Sequence, residues 1–206
     1  MATTTPNYGW AVPTSTDLVK DGATAIETLG DAIDASMNTA LGTKKAGMVL
    51  LNTTSFSGVT SQSINSVFNS TYQNYRVIFN FTSAASDLNA LRLRVSGADN
   101  STASSYISQR LRVTGTTLTG LRNTDSALLV GADETATNAS MNMEIFSPAE
   151  ARATQFIINK TERTTDATTE FSAYGGFHNQ STAYDGFTIY GSKSTSGIIR
   201  VYGYNN

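Results

Sequence analysis

The stretch "RVIFNFT", Arg76 to Thr82, sets Val77, Phe79 and Phe81 at alternate positions, with Ile78 and Asn80 between them and Arg76 and Thr82 on either side. A period of two belongs to an extended strand with one buried face; a helix would carry these three side chains around its axis. The same alternation recurs with Leu91, Leu93 and Val95 in "ALRLRVSG", Leu111 and Val113 in "QRLRVTG", and Met141, Met143 and Ile145 in "SMNMEIF". Shorter runs follow in "TQFIINK", "FSAYGGFH", "FTIYGSK" and "GIIRVYGYNN". Turn residues punctuate these runs about every ten positions, which predicts a mainly β chain whose residues 48–206 form an antiparallel, jelly-roll-like β-sandwich. Asp185-Gly186, between Tyr184 and Phe187, reads as a tight hairpin. Ser83 to Asn89 and Ser96 to Ser105 read as loops, and Ser61 to Tyr72 as a connection with a helical turn as the alternative.

Composition agrees with strands. The 206 residues include 31 Thr, 23 Ser and 16 Asn, about a third of the chain, and such residues suit strands and turns better than helix interiors. The formal charge of -2 leaves no basic field for nucleic acid. Without cysteine the chain has neither a disulfide framework nor a thiolate zinc site, so robustness must come from elsewhere, oligomerisation being one source. The first residues lack the pattern of a signal peptide, and no apolar run reaches the ~18 residues of a membrane span. A soluble chain made in the cytoplasm, with no membrane insertion, is expected.

Ahead of the strands lie two further segments. Residues 1–16 read as an extended arm containing "PNYGWAVP", Pro6 to Pro13, with the only tryptophan, Trp10. Residues 17–47 read as a helix to about Leu41 and a hinge, "GTKKAG", from Gly42 to Gly47. Thr14 and Asp17 resemble a capping box. Val19, Ile26 and Ile33 recur every seventh residue, and Leu29, Met37 and Leu41 extend one apolar stripe. Gly22 and Gly30 each cost about 1 kcal/mol relative to alanine, so the helix needs a partner surface. That surface is either its own β domain or identical helices of other copies in a short parallel bundle.

Catalytic chemistry finds little purchase. One histidine, His178, leaves no His-dependent triad or multi-histidine metal site, and reads as a surface or turn residue. "GTTLTGLR", Gly115 to Arg122, has the glycine spacing of a phosphate loop without its lysine. Asp99, Asp133 and Glu134 lack the calcium-loop pattern. No enzyme activity and no cofactor are expected. Two groups look like contact surfaces instead. Arg92 and Arg94, with Arg110 and Arg112, lie opposite the apolar faces of their strands; if those strands are neighbours, four arginines share one patch. That patch would be a subunit contact or anion strip, unless these are ordinary solvated arginines. Tyr202 and Tyr204 point one way and Ile199 and Val201 the other, so the tyrosines are candidates for sugar stacking, a protein contact or a second core surface.

The stretch "PNYGWAVPTSTDLVKDGATAIETLGDAID" resembles the N-terminal module of tailed-bacteriophage tail-fibre and minor tail proteins. "SINSVFNSTYQNYRVIFNFT", "LRLRVSGADN" and "GIIRVYGYNN" are similar to β-sandwich domains of phage structural proteins. The resemblance implies a homotrimeric virion protein that contacts other virion proteins. Tyr8, Gly9, Trp10 and Pro13 would anchor it to the particle, and Val19, Ile26, Leu29, Ile33 and Met37 would join the copies. A projecting β domain would meet the host surface, a glycan included. With almost no shaft between helix and head, a short fibre or a capsid decoration fits better than a long fibre.

Overall fold

The computed structural model describes residues 3–14, 18–41, 47–83, 89–130, 136–164 and 169–205. The chain forms two compact units, Met1–Gly47 and Met48–Asn206.

In the first unit the arm doubles back on itself. Strands β1 (Thr3–Thr4) and β2 (Ala11–Val12) pair antiparallel, Thr3 opposite Val12. The Thr5 N–H donates to Trp10 O at 2.9 Å, and the Gly9 N–H donates to Thr5 O at 3.0 Å. Pro6 supplies the fixed φ of the first turn position, and Gly9, at φ +67°, takes the left-handed conformation that closes it. A 3-10 turn at Val19–Asp21 leads into helix α1 (Gly22–Leu41). Its entry residue is Leu18, extended and without a side-chain cap, so Thr14 does not start the helix. Residues 15–17, with Asp17, and the hinge residues 42–46 lie outside the described residues.

The second unit is antiparallel throughout the described pairings. It contains β3 (Met48–Ile64), β4 (Asn74–Ser83), β5 (Ala90–Val95), β6 (Ala98–Asp99), β7 (Tyr106–Thr114) and β8 (Thr117–Asp125). β9 (Leu128–Leu129), β10 (Ala136–Phe146), β11 (Thr154–Thr164), β12 (Thr169–His178) and β13 (Gly186–Tyr204) complete it. The order is β6-β5-β13-β4-β10-β11-β12-β7-β8, with β3 on β13 and β9 on β5. β13 makes the sheet curl. Its first residues, 186–190, pair with β5, its later residues, 195–203, pair with β4, and β3 accompanies both parts. The ladder with β3 shifts between Tyr190 and Thr195, where the long ribbon passes from one layer to the other. The inner faces then meet in a sandwich-like core that includes Val77, Phe79, Leu91, Met143, Ile158 and Ile199, all essentially inaccessible. The alternation in "RVIFNFT" thus predicts the buried face of β4 correctly.

The tight hairpins fall at other places than Asp185-Gly186. Ser96 and Gly97, both at positive φ, form the two-residue turn from β5 to β6, and Gly115, φ +58°, turns β7 into β8. Asp185 instead braces a longer connection, because the strand after it pairs with β3 and β5 rather than with β12. Its carbonyl accepts the Val67 and Phe68 N–H groups at 2.8 and 3.0 Å, and its own N–H donates to Arg94 O at 2.9 Å. In the 61–72 segment, Ser61–Ile64 end β3 and no helical turn follows; Val67 and Phe68 are buried there. Residues 84–88, the bulk of the loop expected at 83–89, lie outside the described residues, as do Asp133 and Glu134.

Candidate functional site

Helix α1 presents two adjacent apolar strips rather than one. Ala25, Leu29, Ala32 and Ser36 are half-buried, and the Trp10 Nε1–H donates to Ser36 Oγ at 3.0 Å, so the hairpin is docked on this flank. Trp10 itself is half-buried and stacks on Tyr8 with ring centroids 5.1 Å apart. The heptad positions beside this flank stay uncovered: Val19 is 97% exposed, Ile26 66% and Met37 53%, with Ile33 half-buried. Tyr8 is 69% exposed, and Pro13 is exposed at the far end of β2. The sequence predicted the stripe; it did not show that the hairpin would take one flank and leave the other.

A second uncovered surface is the outer face of the large sheet. Leu111, Phe171 and Leu118 lie there with Ile157 and Phe177, all exposed. Gly175 and Ala173 put little bulk among them. A groove of about 250 Å³ runs past Ile107, Ile157, Gly175 and Phe177, and another of about 310 Å³ past Ile78, Asn142 and Phe171. Tyr202 and Tyr204 lie on the same outer face, opposite Leu50 and Met48 of β3. They are not free stacking platforms alone. The Tyr204 hydroxyl donates to Glu144 Oε2 at 2.7 Å, and Arg76 Nε donates to Glu144 Oε1 at 2.6 Å. The Arg76 guanidinium also stands 5.8 Å from the Tyr204 ring. Burial and the Glu144 carboxylate push the Tyr204 hydroxyl up, so it remains a donor at neutral pH.

The four arginines do not share a ladder, since β5 pairs with β13 and β7 with β12 and β8. Arg92 and Arg94 point away from the core side of β5, as expected, but each is engaged within the chain. Arg92 Nε donates to Ser126 O at 3.1 Å, and its guanidinium lies 4.7 Å from the Tyr190 ring. Arg94 bonds Asp99, Gly97 O, Ser63 Oγ and Thr188 Oγ1, leaving little for an external anion. On β7 the alternation is inverted: Tyr106, Ser108 and Arg110 are buried, and Leu111 faces outward. Tyr106 sets this phase. Its hydroxyl donates to Asn100 O and accepts the Leu93 N–H, both at 2.9 Å, which pins the ring inside and carries Arg110 and Arg112 inward by the period of two.

The inward arginines face a buried charged cluster that no motif announced. Lys160, Glu162 and Glu170 are all nearly inaccessible. Lys160 Nζ lies 2.9 Å from Glu162 Oε2 and 3.6 Å from Glu170 Oε1, while Arg112 Nη1 lies 3.6 Å from Glu170 Oε2. Burial pushes the Glu162 carboxyl up against the opposing pull of Lys160. Alternation along "TQFIINKTERT" already puts Lys160 and Glu162 on the face of Phe156 and Ile158, but in "TEFSAYGGFH" the apolar Phe171, Ala173 and Phe177 share the face opposite Glu170, so the burial of Glu170 and its meeting with the other two needed the structure.

His178 is fully buried, which corrects its reading as a surface or turn histidine. It stacks on Tyr106 at 4.0 Å, and its Nε2 lies 2.6 Å from the Tyr184 hydroxyl. Being opposite Tyr106 in the β12–β7 ladder places it on the core side. Among the described residues no group of three or more acidic, histidine or cysteine side chains is arranged to hold a metal ion. No protein-family model and no curated protein matches the chain.

Proposed function

We propose that this chain is a structural component of a tailed-phage virion, a homotrimeric short fibre. In this reading the N-terminal hairpin attaches it to other virion proteins, the helix joins the copies, and the β domain presents a host-recognition surface. The observation that carries it is the exposed Val19, Ile26 and Met37 strip beside a flank already covered by the chain's own hairpin. A helix with two glycines and no side-chain N-cap is marginal alone. Burying each large apolar side chain against other copies contributes about 1.5–3 kcal/mol. Tyr8, Gly9, Trp10 and Pro13 form the attachment end, with Tyr8 left for a partner. Light scattering on the purified chain is expected to give three times the 21.9 kDa chain mass. Ile26→Asp should reduce it to a monomer without altering the melting of the β domain. A wild-type monomer at micromolar concentration would sink this reading. Placement of labelled protein on the capsid rather than the tail would turn it into a head decoration.

A carbohydrate-binding module is the second reading, favoured by Tyr202 and Tyr204 beside the Glu144–Arg76 pair on the outer face. Sugar stacking on these rings predicts loss of host-glycan binding in Tyr202→Ala and Tyr204→Ala, read by isothermal titration; unchanged binding removes that site.

A further inference from the structure

A lysine is almost never fully buried unless paired, yet Lys160 is 1% exposed in a chain without a single cysteine cross-link. The groups around it are specific. From its own strand comes Glu162; from β12 come Glu170 and Ser172; from β7 come Arg110, Arg112 and Thr114; from β10 come the apolar Ala139 and Met141. Glu162 and Glu170 are direct cross-strand partners, and Lys160 lies diagonal to Glu170. Two ionised carboxylates in that register would repel in a dry site. Glu162 Oε1, moreover, is buried with no donor. One proton on the pair resolves both problems, by making a carboxyl-to-carboxylate bond.

The two acids differ in surroundings. Glu170 Oε1 accepts the Ser172 hydroxyl at 3.1 Å, and its Oε2 accepts the Thr114 hydroxyl at 3.3 Å with Arg112 beyond. Donors already aimed at both oxygens are what a developing oxyanion requires. Glu162 has Lys160 as its close cationic neighbour, at 2.9 Å, and is placed to carry protons. The lysine nitrogen stands 3.6 Å from Glu170 Oε1, beside the carboxyl group whose carbon it would attack.

We propose that this cluster is an autocatalytic cross-linking site, in which Lys160 Nζ and the Glu170 side-chain carboxyl condense to an amide that joins β11 to β12. The carboxyl proton of the pair moves to Glu170, and Glu162 takes one proton from the lysine ammonium. The freed amine attacks Glu170 Cδ, and a C–N bond forms. The C–O bond then breaks; the leaving hydroxyl takes a proton from Glu162 and departs as water, while the nitrogen returns one to Glu162. Lysine ammonium plus carboxylate has become amide plus water, and Glu162 ends as it began. No oxidant, metal or cofactor is consumed.

Denaturing mass spectrometry of the intact full-length chain tests this. The wild type is expected one water lighter than its sequence mass, with trypsin failing after Lys160 and a branched peptide joining Lys160 to Glu170. Lys160→Met and Glu162→Gln should both return to sequence mass, the second with circular dichroism showing a folded β domain. A wild type at full sequence mass that is cleaved normally after Lys160 overturns the proposal without any variant. A branch to Glu162 instead of Glu170 overturns the assignment of the two acids.

Discussion

At the scale of single residues, the most consequential group is His178. Burial disfavours its charged form and lowers its pKa to about 4, from about 6.5 in the unfolded chain. The unfolded state therefore binds the proton more readily. Stability is intact above about pH 6.5 and falls progressively towards pH 4, by up to about 3 kcal/mol. Urea midpoints at pH 7 and pH 4.5 should show that loss, and His178→Gln should flatten it. Glu162, pushed up, has the opposite slope, losing stability as pH rises, so the difference between wild type and variant isolates the histidine. Gly186 is the steric counterpart. A Cβ there would lie 2.2 Å from Ile64 O, where backbone on both sides is held in ladders, so Gly186→Ala should cost about 2–4 kcal/mol. At Gly175 a Cβ would meet nothing within 4 Å, and its alanine variant should melt within about a degree of wild type.

At the scale of elements, β7 shows how a strand's phase is decided. Its sequence, "YISQRLRVT", is ambiguous, because Leu111 and Val113 compete with Tyr106 for the inner face. Tyr106 wins: it is the larger side chain, its hydroxyl satisfies a buried N–H, and Glu170 of β12 receives Arg112. Tyr106→Phe should therefore destabilise by about 1–3 kcal/mol through the orphaned Leu93 N–H. Leu111→Thr, on the exposed face, should stay within about 0.5 kcal/mol. Chemical denaturation of the two variants side by side checks the inversion. In β4, β5 and β10, where apolar and polar residues do not compete, the sequence pattern alone puts the correct face inward. Helix α1 lies between these cases: its apolar positions were legible, but the flank claimed by Trp10 depended on a contact 26 residues away.

At the scale of the whole molecule, the chain is two compact units with very different support. The β unit has a continuous core, and residues 48–206 expressed alone should fold cooperatively and run as a monomer. Calorimetry should find the same transition for the β unit in the fragment and in the intact chain. If the fragment is unfolded, the first unit is required for the second. Among the described residues of the first unit, the short hairpin and the helix bury only part of their apolar surface, which is the physical reason for proposing that this end associates.

The sequence by itself determined the fold class, the position of the helix, and the lack of any cysteine or second histidine. These follow from period, composition and counting, which are local or additive properties. Only the tertiary structure decided which residues meet. It separated the arginine pairs, brought Lys160, Glu162 and Glu170 into one dry cluster, buried His178 against Tyr106, and left the Val19, Ile26 and Met37 strip uncovered. Those outcomes depend on strand order and on what each surface finds opposite it. Neither is encoded in any short window of the chain.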